Sequence, residues 1–312
     1  MLTIYNYRVL EPQLNTLNQI APGCWVNLSD PLPAEIDRVS EELGIPIDYL
    51  TYPLDIDERA RTEKDEGVTL IILRIPRYEG DTADIPYVTM PLGIILTERA
   101  IVTISKIETD LLADFVQGRV KGWSTGKRNR FVLQILLNTA QRYLHHLNAI
   151  DKGIDQLEDR LQRTPRNREV LELLKYQKSL VYFTTALRSN ELMMERLQRS
   201  QLFKMYPDDE DLLDDVLIEI RQAIEMTSIS SDILTQAVDA FGSIISNNLN
   251  VVVKLLTAMT IILTVPMLVA SIYGMNVDLP FQDMQHAFWI VMGIGLGVVG
   301  IAVYIFWKRD WF

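Results

Sequence analysis

Asn250, Thr257, Thr264 and Ser271 recur at intervals of seven inside an otherwise apolar stretch. Residues seven apart on an α-helix stay close to one face, drifting about 20° per step. Asp239, Ser243 and Ser246 extend that face toward the N-terminus. Such oxygen-bearing side chains have two uses. They line a water-filled path when several helices share an axis, or they pack and hydrogen-bond against a neighbouring helix. Periodicity leaves both open. A second concentration of oxygen ligands lies upstream, where Asp208, Asp209, Glu210, Asp211, Asp214 and Asp215 fall within eight residues. Carboxylates suit divalent cations, and they also favour the first turn of a helix, where they meet the positive end of its dipole.

Other chemistries find few residues. His145, His146 and His286 are the only histidines and Cys24 the only cysteine, so no zinc cage is spelled out. His145 and His146 are expected on the surface of a helix. One thiol cannot form an intrachain disulfide, which fits a reducing compartment. There is no glycine-rich phosphate loop and no nucleophile elbow, which argues against an enzyme.

Two long apolar runs must position the polar face. Residues 251–273 carry one charge, Lys254, and residues 287–307 carry none. Each reaches the roughly 20 residues that a membrane span needs. Lys254 precedes the first span, Lys308 and Arg309 follow the second, and the connecting segment 274–286 has no Lys or Arg. The positive-inside rule therefore puts both termini in the cytosol and residues 274–286 on the outer, periplasmic or extracellular, side. Tyr273, Phe281, Phe288 and Trp289 are expected at the outer interface, and Trp307, Trp311 and Phe312 at the inner one. Gly293 and Gly297, four apart, allow close approach of another helix.

The rest reads as soluble protein. Residues 1–125 mix strand and helix patterns, with strands expected at 24–28, 68–75, 88–96 and 100–105 and helices at 30–43 and 108–120. From Arg128 the pattern is helical. Tyr143, Leu147, Ile150, Ile154, Leu157 and Leu161 alternate steps of four and three, a coiled-coil seam. Residues 126–207 are expected to form antiparallel long helices: Thr164-Pro165 is placed to cap and start the second, which runs to about Gln201, and Tyr206-Pro207 marks a further break. From about 209 one helix is expected to run through the first span to 272, on the order of 95 Å. A helix that long implies packing against copies of itself. The net charge of −11 lies wholly before residue 251, because the six charges beyond it cancel. An acidic soluble part argues against nucleic acid. The N-terminus shows no secretory signal pattern.

Tyr273-Gly274-Met275-Asn276, at the outer end of the first span, resembles the GMN signature of the CorA family of magnesium transporters. The resemblance extends to the two C-terminal spans, the large acidic cytosolic domain, the basic tail 308–312, the segments 246–250 and 254–257, Pro266 within the span, and Trp25-Val26-Asn27-Leu28. It implies an α+β membrane protein: a homopentameric funnel in the cell (inner or plasma) membrane, each subunit giving a stalk helix, residues 208–273, to a central pore.

Carried over position by position, Asn276 and the Gly274 carbonyl form an outer selectivity ring flanked by Tyr273 and Met275. Asn250 forms an inner polar ring, Leu256 a hydrophobic constriction and Asp239 an acidic ring below the membrane. Thr257, Thr264, Met267 and Ser271 line the middle. Asp215, with Asp211 and Asp214 beside it, matches the stalk acid that binds a regulatory metal between subunits. Glu79, Asp81 and Asp84 are candidates for its partner on the neighbour. Val277-Asp278-Leu279-Pro280 replaces the family's usual Met-Pro-Glu stretch, so Asp278 or Asp283 would be the outer acid. The implied cargo is Mg2+, which also gates from the cytosol. The alternatives are a related transporter preferring Zn2+, Co2+ or Ni2+, and a membrane-anchored metal sensor.

Overall fold

The computed structural model describes every residue except 9–10, 66, 164–166, 200–206, 276–279, 281–283, 310 and 312. Two compact units result, Met1–Ala237 and Val238–Phe312.

The first unit is built on a seven-stranded sheet. Its strands are β1 (Leu2–Arg8), β2 (Glu11–Leu17), β3 (Cys24–Ser29), β4 (Arg61–Asp65), β5 (Val68–Tyr78), β6 (Tyr87–Leu96) and β7 (Ala100–Ser105). The order is β2-β1-β3-β7-β6-β5-β4, antiparallel except for the parallel pair β3 and β7. Strand alternation sorts side chains to two faces. Cys24, Val26 and Leu28 of β3 and Ala100, Val102 and Ile104 of β7 join one apolar core. That core also takes Ile36 and Val39 of α1 (Pro33–Leu43) and Tyr49 and Leu50 of α2 (Ile47–Thr51). Burial raises the Cys24 thiol above its usual range, which suits a packing role. Pro33 starts α1, the Glu35 carboxylate accepts the Leu32 N–H at 2.9 Å, and Gly44 at φ 65° closes the helix. Gly93 of β6 is required by close approach, since a Cβ there would lie 2.3 Å from Pro53 Cγ.

On the other face Trp25 meets Trp123 and Phe131 edge-on at 5.8 and 5.1 Å, and Phe115 of α3 (Asp110–Val116) completes the aromatic cluster. Thr103 Oγ1 accepts the Trp25 indole N–H at 2.7 Å, so the buried ring leaves no orphan donor. Helices α4 (Arg128–Arg163) and α5 (Asn167–Arg199) cover this face. All six seam residues expected on α4, from Tyr143 to Leu161, are buried. Helix α6 (Pro207–Tyr273) begins in this unit, with Leu213, Val216 and Ile220 buried along one side. Asp209 is buried and paired with Arg130 at 3.3 Å. Asp151 accepts from the Ser230 hydroxyl at 2.6 Å, and Arg221 pairs with Glu191 and Glu195 of α5.

Several details depart from the sequence expectations. Strands β1, β2 and β4 and helix α2 lack the apolar runs that mark the other elements. The helix expected over 108–120 is the shorter α3. His145 is exposed, but His146 is half-buried, its ring 5.4 Å from Tyr87. It is therefore no surface residue: burial first, then the neighbouring His145 and Arg142 charges, push it down to about 4. The Thr164-Pro165 break and Tyr206 lie outside the described residues.

The second unit holds the rest of α6 and α7 (Ala287–Lys308). Each contains a long apolar stretch of which only 6% is buried. A core helix of a soluble protein would be mostly buried, so these apolar surfaces require lipid or further protein. Pro266 lies inside α6 without ending it. Trp311 folds back to stack on Phe306 at 5.0 Å, giving the C-terminal end an aromatic cluster suited to an interface.

Candidate ion path

The polar stripe and α7 lie on different sides of α6. Gly295 of α7 is buried, 4.0 Å from Val269 Cγ1 when given a Cβ, and Pro266, Val269, Ala270 and Tyr273 share a lined groove with Ala287, Phe288 and Met292. At 100° per residue, Thr264 sits about 140° from Val269 and about 160° from Pro266 around the helix. Thr257, Thr264, Ser271 and Asn250 are all exposed in the single chain. The stripe therefore makes no packing surface for α7, which removes the nearest helix–helix explanation for it.

Two hydroxyls of this face have a defined polarity. Thr257 Oγ1 donates to Val253 O at 2.8 Å, and Ser243 Oγ donates to Asp239 O at 3.0 Å. Thr260 makes the same back-bond to Leu256 O at 2.8 Å. A hydroxyl whose proton is committed to its own helix presents lone pairs outward. Water in the shell of a metal cation points its protons away from the metal, so outward lone pairs are what a hydrated cation can use. Below the apolar stretch, Asp239, Ser243, Ser246 and Asn250 line one open groove. Leu256 and Met267 are also exposed, at 59% and 68%.

At the C-terminal end of α6, the Gly274 N–H bonds Ala270 O at 3.0 Å and the Met275 N–H bonds Ile272 O at 3.2 Å, closing the helix. Tyr273 turns its hydroxyl to Pro280 O at 2.9 Å. Asn276, Asp278 and Asp283 lie outside the described residues, as do Phe281 and Phe312.

The stalk acids Asp211, Asp214 and Asp215 are exposed on α6, opposite its buried apolar side, and Asp214 accepts from Gln198 Nε2 at 3.1 Å. On the β5–β6 hairpin, Glu79 pairs with Arg77 at 3.1 Å, Asp81 accepts from the Tyr78 hydroxyl at 2.6 Å, and Asp84 is exposed. Among the described residues, no three His, Cys, Asp or Glu side chains of the single chain converge as a metal site. Sequence reasoning missed the polar ties that hold α6 to its neighbours, Asp151–Ser230 and Arg221 with Glu191 and Glu195. Spacing marks a helix face, but it does not say which remote helix a charged residue meets.

Comparison with known proteins decides the family. The family described as CorA-like Mg2+ transporter protein matches residues 22–309. The chain belongs to it. The cobalt/magnesium transport protein CorA of Methanocaldococcus jannaschii is 30% identical over 315 residues, covering 97% of this chain and 96% of that one. The protein of the same name from Thermotoga maritima is 23% identical over 91% of this chain and 82% of its own. Among solved structures, the complete CorA magnesium transporter of M. jannaschii superposes with a TM-score of 0.86 at 26% identity, covering 100% of this chain and 99% of that one. The α/β sheet domain, the long helix and the two C-terminal apolar helices are thus the CorA architecture along the whole chain.

Proposed function

We propose that this CorA-family chain conducts divalent cations across a membrane, Mg2+ foremost, as a homopentamer whose α6 helices surround the path. The observation that carries the reading is the polar stripe facing away from α7, on a chain whose full length matches a CorA transporter. Both termini lie in the cytosol in this reading, since Lys254, Lys308 and Arg309 flank the spans and 274–286 carries no Lys or Arg.

The chemistry follows from the cation. Mg2+ is small and dehydrates reluctantly, so a path that stripped its shell would need a full oxygen cage. Rings of Asn276 amides and Gly274 carbonyls at the mouth, and of Asn250 amides at the inner end, instead hydrogen-bond the shell. Neutral oxygens also avoid holding a divalent ion too tightly for release. The back-bonded Thr257 hydroxyl supplies a further acceptor ring. Leu256 narrows the path with an apolar ring, and Asp239 concentrates cations below it.

Gating rests on the stalk acids. Asp215, supported by Asp211 and Asp214, faces Glu79, Asp81 or Asp84 of the neighbouring subunit, and cytosolic Mg2+ bridging them favours a closed, symmetric assembly. Depletion leaves like charges to repel one another. The metal shifts the equilibrium by its differential affinity for the two states.

Co2+ is a second cargo favoured by a specific observation, because two relatives carry cobalt in their names. Flux of Mg2+, Co2+, Ni2+ and Zn2+ into proteoliposomes holding the full chain tests the proposal. Mg2+ entry above protein-free vesicles is the expected result. Zn2+ entry without Mg2+ entry would move the chain to the alternative cargo, and no entry of any of the four would leave a metal sensor.

A further inference from the structure

The seven-residue repeat does not include every polar group on its side of α6. Ala258 is fully buried, and Ile262, Val265, Pro266, Val269 and Tyr273 are half-buried, whereas every other residue from 251 to 272 is exposed. At 100° per residue these six lie within about 60° of Val269, and they mark the covered side of the helix. Thr260 is exposed, about 180° from Val269 and about 160° from Ala258. No member of the repeat lies so squarely opposite the covered side. The repeat drifts across the open side, from about 100° away from Val269 at Asn250 to about 160° at Ser271. A search for sevens therefore passes over Thr260.

Its hydroxyl is oriented as the ion path requires. Thr260 Oγ1 donates to Leu256 O at 2.8 Å, so its proton is committed to the helix and its lone pairs are left for outside donors. Val253 and Leu256, about 160° and 140° from Val269, are exposed apolar residues on the same side. A hydrated cation passing them finds no acceptor for its water shell from their side chains. Thr260 follows about 6 Å beyond Leu256, and Thr264 about 6 Å beyond that, one helical turn each. Thr260 is thus the hydroxyl centred on the open side directly after the apolar pair.

We propose that Thr260 is a further cargo-binding residue of the path, accepting hydrogen bonds from the water shell of a cation that leaves the Leu256 constriction. This rests on the conduction reading above. Mg2+ uptake into proteoliposomes tests it, with incorporation and oligomeric size matched. Thr260→Val keeps the shape, removes the hydroxyl and should cut uptake about tenfold, the worth of one hydrogen bond. Thr260→Ser, which restores the hydroxyl, should recover most of that loss. Thr260→Cys should react with a water-soluble methanethiosulfonate reagent and lose uptake on reaction, whereas Ala258→Cys on the covered side should stay unreacted. Cys24 is buried and adds no background. Wild-type uptake by Thr260→Val overturns the inference and leaves the conduction reading standing. So does uptake by Thr260→Ser as low as that of Thr260→Val, or a Thr260→Cys thiol that stays unreactive in a protein that takes up Mg2+. Absence of Mg2+ entry with the wild-type chain overturns the conduction reading itself, and the inference with it.

Discussion

The Asn190 side chain brackets the backbone of Arg74: its Oδ1 accepts the Arg74 N–H at 2.9 Å and its Nδ2 donates to the Arg74 carbonyl at 2.7 Å. Asn190 is fully buried on α5, and Arg74 sits mid-strand on β5. The same carbonyl also accepts from the Tyr143 hydroxyl of α4 at 3.0 Å. One peptide group of the sheet thus ties both long helices to it. The guanidinium of Arg74 reaches further, to the carbonyls of Ile56, Glu58 and Thr89.

Asn190→Ala leaves a buried N–H unpaired and opens a gap at this junction. The expected cost is about 3 kcal/mol. It is read as a lowered unfolding midpoint of the full chain in detergent, followed by circular dichroism. Replacement by Asp keeps one acceptor and should recover part of the loss. An unchanged midpoint in the alanine variant would show that the junction does not hold the first unit together.

His146 makes stability depend on pH. Its folded value, about 4, lies below the ordinary 6.5, so the unfolded chain binds the extra proton first. Its contribution is fully present above about 6.5 and is lost as pH falls toward 4. Arg142, His145 and Asp110 are the charged or titratable groups acting on it, and the first two deepen the depression. In phosphate-free buffer, His146→Gln should flatten the unfolding midpoint against pH across that window. An identical slope in both proteins would show that other groups govern the acid side.

Asp215 is expected to set the internal Mg2+ concentration that shuts flux down. In proteoliposomes loaded with graded internal Mg2+, Asp215→Ala should need about tenfold more for half inhibition, equivalent to ~1.4 kcal/mol of differential binding. Inhibition curves that overlay would move the regulatory site elsewhere.

Legibility followed apolar patterning. The α4 seam, the strands β3, β5, β6 and β7, and the two spans carry dense, periodic apolar residues that no turn chemistry disguises, and all were readable. Strand β4, Arg61–Asp65, is an edge strand of charged residues, held by pairing to β5 rather than by its own side chains. Edge strands with this composition resist edge-to-edge association, and that composition hides them from propensity reasoning. Strands β1 and β2 pair antiparallel, but their apolar positions are too sparse to mark them in the sequence. His146 shows the reverse limit. Its position on α4 is clear from spacing, but its burial depends on Tyr87 and Phe183, which the chain brings to it from far away. Along α6, the seven-residue repeat was visible, whereas the side on which α7 packs was not. That side excludes α7 as the packing partner of the stripe.

In the proposed function, Asn276 guards the outer mouth of a Mg2+ path along α6. The most direct measurement is Mg2+ uptake into proteoliposomes by wild type and by Asn276→Ala, with incorporation and oligomeric size matched. Loss of one amide from every subunit's contribution to the ring should cut uptake by at least about tenfold. Uptake by Asn276→Ala with the rate and ion preference of wild type would contradict the claim.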